Sequence, residues 1–354
     1  MKKKIISASM ATVLFLVFLL FFQQLLMPKY MSGVYEGRLV GEYYSENKSH
    51  DVIFIGDCEV YDNISPIALW ESHGITSYIR GSPQQLIWQS YYLLEETLKY
   101  ERPKVVVFSV LAMKYDVPQN EAYNRLTLDG MRLSDSKARS VIKSKTEGED
   151  WITYLLPILR FHDRWRELSG EDIKYYFGGE SVSHNGYMMR CDVKPVTVVP
   201  VGQRLPDYTF GAASYEYLYK ITNLCKANDI ELVLLKAPSL YPYWYDEWDE
   251  QMVAYALKNE ISYINTLTLT DEIGIDYDTD TYNAGLHLNL FGAEKLSVFL
   301  GNFLSESFDL TDHRSDSSLS GLWDAKTAAY HAMKEAQLTE LELYGSVRTF
   351  TYAG

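Results

Sequence analysis

Five short apolar runs, at 51–56, 75–79, 104–110, 230–235 and 261–264, constrain the fold more than any other feature of this sequence. Each is of strand length, and a strand with apolar residues on both faces must be covered on both. Parallel sheets meet that condition because the crossover between neighbouring strands lays a helix against the sheet. The stretches between the runs have helical character. They are 66–73, where Ser65 is placed to cap and Pro66 suits the first turn, then about 84–100, 215–227, 245–258 and a last helix from near 292. This order predicts a three-layer α/β/α domain on a mainly parallel sheet over residues 51–304.

The rhythm is broken once. Residues 118–210 hold a helical section around 151–168 and a section rich in β-forming residues around 187–201, and are expected to be an insertion capping the carboxyl edge of the sheet. Residues 305–320, rich in Ser and Asp, are expected to be a mobile polar linker ahead of a terminal helix at 322–343, both within a tail over 305–354. At the other end, Lys2, Lys3 and Lys4 precede an uncharged stretch from Ile5 through Phe22, continued by Leu25, Leu26 and Met27. That approaches the ~20 residues needed to cross a bilayer, and the lysines favour a cytoplasmic N-terminus. No small-x-small cleavage pattern precedes Pro28. The expectation is an uncleaved single-pass transmembrane helix over 1–27, a linker over 28–50 and an extracytoplasmic main domain.

Lys and Arg total 33 against 47 Asp and Glu, a net charge of −14, which argues against nucleic acid as the main ligand. The chain has no Walker loop, no G-x-G-x-x-G and no zinc-spaced Cys/His cluster, so neither a nucleotide, a metal nor another cofactor is expected. Tyr occurs 29 times, with Tyr175, Tyr176 and the run 241–245 in the middle of the chain. Flat faces with a polar edge suit sugar rings, and equally suit cores and interfaces.

Three cysteines, Cys58, Cys191 and Cys225, make no disulfide framework. At most one pair forms; if Cys191 and Cys225 pair or stay buried, Cys58 is the odd thiol. Cys58 follows Gly56 and Asp57 at the end of the first apolar run, and in an open α/β sheet ligands bind beyond the carboxyl ends of the strands. Gly56 permits a tight turn, and Asp57 would be costly inside a buried strand. A thiol there, at a helix start, is expected to be drawn toward the thiolate. A redox dithiol role lacks support, since there is no C-x-x-C. The nucleophile's base is expected to be His287, in the loop 282–289 that feeds the last helix; Asn283, Asp280 or Asp278 is near enough to orient its ring.

Gly56-Asp57-Cys58 after a strand, and His287-Leu288-Asn289 followed by Gly292, Ala293 and Lys295, resemble the SGNH/GDSL hydrolase superfamily over roughly residues 50–304. More narrowly, the chain is similar to membrane-anchored, extracytoplasmic SGNH-like proteins that accompany membrane-bound O-acyltransferases in modifying bacterial cell-surface polymers. The resemblance implies a flavodoxin-like α/β/α fold, Cys58 in place of the serine nucleophile, the Gly81 N–H as an oxyanion donor, and His287 as base with Asn283 in line to orient it. The family's Gly-x-Asn block is absent after the third run, where only Ser109 offers a side-chain donor, and Ala284 stands where the acidic triad member belongs. The implied catalytic set is Cys58, His287 and Asn283, with Gly81, Asp57 and Ser109 for oxyanion or substrate binding. The implied function is an acyl esterase or O-acyltransferase acting on an acetylated glycan or cell-wall polymer outside the membrane. The alternative is a catalytically degenerate glycan-binding or docking partner of a membrane-bound O-acyltransferase.

Overall fold

The computed structural model describes residues 2–27, 35–177 and 181–348; positions 28–34 of the expected linker and 349–354 of the tail lie outside them. Along the chain run α1 (Lys2–Leu26), β1 (Val52–Gly56), α2 (Cys58–Tyr61), α3 (Pro66–His73), β2 (Ser77–Gly81) and α4 (Ile87–Thr97). There follow β3 (Val105–Ser109), α5 (Glu121–Leu128), α6 (Asp135–Ser144), α7 (Ala212–Lys226) and β4 (Glu231–Lys236). The chain ends in α8 (Asp246–Asn259), β5 (Ser262–Asn265), α9 (Leu290–Ser307) and α10 (Ser317–Tyr344), with short helical turns between several elements. All five strands pair in parallel in the order β2-β1-β3-β4-β5. The order reverses between β1 and β3, so their carboxyl ends frame the crevice where ligands of such sheets bind.

The apolar runs are two-faced for the reason their composition implies. In β1, Val52 and Phe54 enter a core formed with α3, α9 and α10, whereas Ile53 and Ile55 enter a second core with α4, α7 and α8. Val105 and Val107 of β3, and Val233 and Leu235 of β4, join the first core, and Val106, Phe108, Leu232 and Leu234 the second. On the second face α6 packs over α4, where Trp88 Nε1 donates to Ser144 Oγ at 3.0 Å. A residue removed from either face therefore leaves a cavity in a closed core.

Two expectations are corrected. The segment 305–320 is part of the body: α9 runs to Ser307, Asp316 caps α10 by accepting from Ser318 N–H, and between them His313 N–H donates to the Gly74 carbonyl. The polar residues that read as a linker are caps and tethers. Helix α10 is integral, with Trp323 stacked on Trp70 at 5.0 Å and Gln337 bonded to the backbone at Met189 and Cys191. Second, residues 187–201 form no strand. Tyr187, Met188, Met189 and Cys191 are buried in the first core, and the N–H groups of Met188, Lys194 and Val196 go to three separate carbonyls, those of Tyr61, Thr281 and Tyr277, in place of a ladder. Of the two arms left open for Cys191 and Cys225, the structure shows the buried one: they are free thiols in the two different cores, with the sheet between them.

Within α1, Ile5–Leu26 is long and apolar enough to cross a membrane, and no residue of its most apolar 18-residue window is buried in the protein.

Candidate active site

The turn after β1 is set by close packing. A Cβ on Gly56 would lie 2.7 Å from Ser109 Cβ, so only glycine lets the end of β1 pass over the end of β3. Asp57 then caps α2, accepting from Glu59 N–H at 3.1 Å, and Cys58 is the first residue of that helix. The opposing loop is closed on itself. Thr281 Oγ1 donates to the His287 carbonyl and accepts from Gly285 N–H, both at 2.8 Å, and Asn289 caps α9 by accepting from Phe291 and Gly292. One buried side chain joins the two segments. Asn63 Oδ1 accepts from Leu288 N–H at 2.7 Å, and its Nδ2 donates to Ser239 Oγ at 3.0 Å.

Cys58 and His287 consequently line one cavity of about 270 Å³ at the carboxyl rim of the sheet, together with Asp57, Glu59, Lys114 and Gln84. Aromatic faces come from Tyr61, Tyr115, Tyr123 and Tyr241. Of the described residues in the insertion 118–210 only Tyr123 reaches this lining; the short helices between 152 and 176 pack instead along α1.

His287 is held by its Nδ1 side. Asn283 Nδ2 donates to Nδ1 at 2.8 Å while Asn283 Oδ1 accepts from the His287 N–H at 2.7 Å, which fixes the amide orientation. Tyr282 Oη lies 3.1 Å from Nδ1, and Asp62 Oδ2 is 3.6 Å away, just outside hydrogen-bond range. The opposite nitrogen, Nε2, is buried and has no hydrogen-bond partner among the described residues. Burial pushes the imidazole down to about 3, so it is neutral at ordinary pH.

The thiol is the reverse of the expected thiolate. Burial first, then the carboxylates of Asp57, Asp62 and Glu59, hold Cys58 well above its ordinary 9.0, with Lys114 alone opposing. A short helix start does not outweigh three nearby acids. Asp57 is itself pushed up to about 7 by burial and by Glu59. Burial lowers Lys114, against the pull of Asp57 and Glu59.

The remaining expected residues fall in three places. Asn283 meets His287 as described, whereas Asp280 pairs with Lys295 at 2.6 Å and Asp278 is exposed. Ser109 lies behind the cavity wall, fully buried, donating to Glu59 Oε2 at 3.2 Å. Gly81 closes β2 in register with Gly56 against Tyr61 and Val60, and does not line the cavity. The turn after it does: Gln85 N–H donates to the Ser82 carbonyl at 3.2 Å, Pro83 and Gln84 line the cavity, and Gln84 adopts φ of 47°. The backbone N–H groups of Gln84 and Cys58 have no hydrogen-bond partner among the described residues.

Besides Gln84, two residues escaped the sequence reading. Asp62 is the carboxylate nearest His287, and its signal was the acid missing three places before that histidine. Lys236 is fully buried at the end of β4 and donates to Glu59 Oε1 at 2.5 Å and to the carbonyls of Ala237 and Ser239.

No family model matches the chain, and no curated protein does. Solved structures similar to it include the following two. One is a protein of Desulfitobacterium hafniense DCB-2 described as lipolytic and of the G-D-S-L family, at 13% identity and a TM-score of 0.37, covering 72% of this chain and all of that one. The other is a GDSL-like lipase of Bacteroides thetaiotaomicron VPI-5482, at 12% identity and 0.33, covering 77% and 98%.

Proposed function

We propose that the chain is an acyl-transfer enzyme in which Cys58 is the nucleophile. The observation that carries this reading is the meeting of Cys58 and the unpartnered Nε2 edge of His287 on one small cavity, from positions 58 and 287 of the sequence. An ester carbonyl enters beside Cys58. The reaction runs from the Nδ1–H tautomer of His287, with Nδ1 donating to Tyr282 Oη or Asp62 and the Asn283 amide turned away. As Sγ then bonds to the acyl carbon its proton passes to the vacant Nε2, which returns it to the departing alcohol oxygen as the C–O bond breaks. Water, or a second hydroxyl, completes the cycle by cleaving the thioester. Because the resting thiol is held protonated, proton transfer accompanies attack. The imidazolium formed is stabilised by Asp62, which needs to close only a few tenths of an ångström on Nδ1. The free N–H groups of Cys58 and Gln84 are the oxyanion donors in this reading, the role the resemblance gave to Gly81.

The cavity, about 270 Å³, lies just below the ~300 Å³ at which drug-sized sites begin, which favours a short acyl group such as acetyl. Tyr115, Tyr123 and Tyr241 offer faces for the ring that carries it, which supports an O-acetylated glycan as substrate. With the lysines at the start of α1 on the cytoplasmic side, the body works outside the membrane as an esterase or O-acyltransferase on cell-surface polymer.

The test is intact-mass measurement after exposure to an activated acetyl ester. A single acetyl adduct on Cys58, absent in Cys58→Ala and persistent in His287→Ala only as a slow background, is expected. An adduct on another residue, or none with a folded protein, overturns the reading. The protonated resting thiol favours a second one, a degenerate binding module beside a membrane-bound O-acyltransferase. For it, no adduct forms and Cys58→Ala still binds acetylated oligosaccharide and co-purifies with its partner.

A further inference from the structure

Residues 151–177 form a collar around the end of α1. Phe21 of α1 packs edge-on against Tyr176 with ring centroids 4.9 Å apart, and Gln23 Nε2 donates to the Leu155 carbonyl at 3.3 Å. Arg164 Nη1 donates to the carbonyls of Leu26 and Met27, at 3.2 and 2.8 Å, and its Nη2 lies 3.3 Å from Asp172. The collar is thereby bonded to the last turn of the one apolar helix.

Its outer surface carries exposed apolar side chains. Trp165 is 62% exposed and Phe177 75%, with Trp151, Leu159 and Ile173 also turned outward, and Arg160 exposed among them. Scattered exposed apolar residues need no account, but five within one segment of 27 residues form a patch.

We propose that this collar seats in the interfacial layer of a phospholipid bilayer. The argument is continuity. If Ile5–Leu26 crosses the ~30 Å hydrocarbon core, its last turn emerges at the head groups, and whatever is bonded to that turn lies at the same depth. Trp, Phe and Leu with neighbouring Arg is the composition that stabilises a segment there: the rings sit among head groups and the guanidinium meets lipid phosphate. The collar holds the body at a fixed height and tilt, so the anchor is not a free tether. The inference rests on α1 crossing the membrane and is independent of the acyl chemistry.

The unmodified full-length chain tests it, because its other tryptophans are inside: Trp70, Trp88, Trp244 and Trp323 are buried and Trp248 is half-buried. In liposomes of brominated phosphatidylcholine and phosphatidylglycerol, roughly two of the seven tryptophan emissions are expected to be quenched, and Trp151→Phe/Trp165→Phe is expected to abolish that loss. As a second reading, spin labels at Trp165→Cys and Phe177→Cys in a Cys58→Ser background are expected to be several-fold less accessible to an aqueous nickel chelate than a label at Tyr219→Cys, which is exposed on α7. Collar labels as accessible as the Tyr219 control, with no bromolipid quenching, overturn the proposal. Shielding that appears only in native membranes overturns it too, and assigns the patch to a protein partner.

Discussion

The carboxyl rim of the sheet holds two buried acid–base assemblies within one short turn of chain, and they are finished differently. Under β4, Glu59 takes Lys236 Nζ on one oxygen and Ser109 Oγ on the other, and Lys236 spends its remaining donors on the carbonyls of Ala237 and Ser239. Beside α9, Asp62 stops 3.6 Å short of His287 Nδ1, and Nε2 has no hydrogen-bond partner among the described residues. A fully satisfied buried pair is a fixed structural element, costly to break from one side. A half-satisfied one leaves a ring nitrogen to be engaged and a carboxylate close to the other. The comparison separates the residues that build this rim from those that react on it.

The largest break should come at the reactive pair. Cys58→Ala or His287→Ala is expected to lower ester cleavage by about 10³-fold or more, with thermal unfolding close to the parent, because neither group completes a core network. A variant retaining a tenth of the parent rate would remove the residue from the chemistry. Cys191→Ala and Cys225→Ala, each in a closed core, should leave rate per folded molecule unchanged.

The satisfied pair should answer in stability. Lys236→Met leaves the Glu59 carboxylate buried and unpaired and is expected to cost about 3–5 kcal/mol by denaturant titration, and Lys236→Met/Glu59→Gln distinctly less than that. Equal losses for the single and double variants would mean that the pair is not coupled as its 2.5 Å contact implies.

Asp62→Asn sharpens the comparison from the other side. Removing the reserve charge should lower kcat by about 10²-fold with KM nearly unchanged, since Asp62 touches the imidazole and not the substrate. Asn283→Ala should instead loosen the ring and affect both. Should Asp62→Asn leave kcat alone, Asn283 is the orienting group and the 3.6 Å gap stays open during turnover.

What the chain itself made legible follows from where its constraints are local. The apolar runs announced a two-faced sheet because β1 from Val52 to Ile55 and β3 from Val105 to Phe108 are apolar irrespective of side, and a switch point between those strands places Cys58 at the rim. His287 was legible through the Asn289 cap and Gly292, which has no room for a Cβ against the Asp280 carbonyl. Asp62 was not, because a carboxylate four residues after a nucleophile reads as the end of its helix until the imidazole arrives from the far end of the chain. Gln84 hid for a similar reason: the strand end signals glycine at Gly81, while the turn that lines the cavity uses a non-glycine residue at positive φ. The thiol's character was misread because helix starts are visible in sequence and the convergence of three acids is not.

The smallest effect is on pH, and its sign differs for the two sides of the site. Burial lowers His287 from 6.5 to about 3, so between those values the unfolded chain binds a proton that the folded one refuses. Stability contributed there falls as pH drops through 6.5 and levels off below about 3; His184, buried and lowered to about 4, acts in the same sense. Asp57 opposes them. Its value is raised from 3.8 to about 7, so the folded state holds the extra proton, and the stability it contributes is present below 3.8 and lost as pH rises through 7. Denaturant titrations across this range should therefore show a shallow acid slope, flattened in His287→Gln and steepened in Asp57→Asn. Over the same range the rate per folded molecule should lack a histidine limb at 6.5, because the base is already neutral there. A limb at the ordinary histidine value in the parent enzyme would mean that His287 is solvated during turnover and that the dry Nε2 edge, on which the contrast with Glu59 depends, is not the working state.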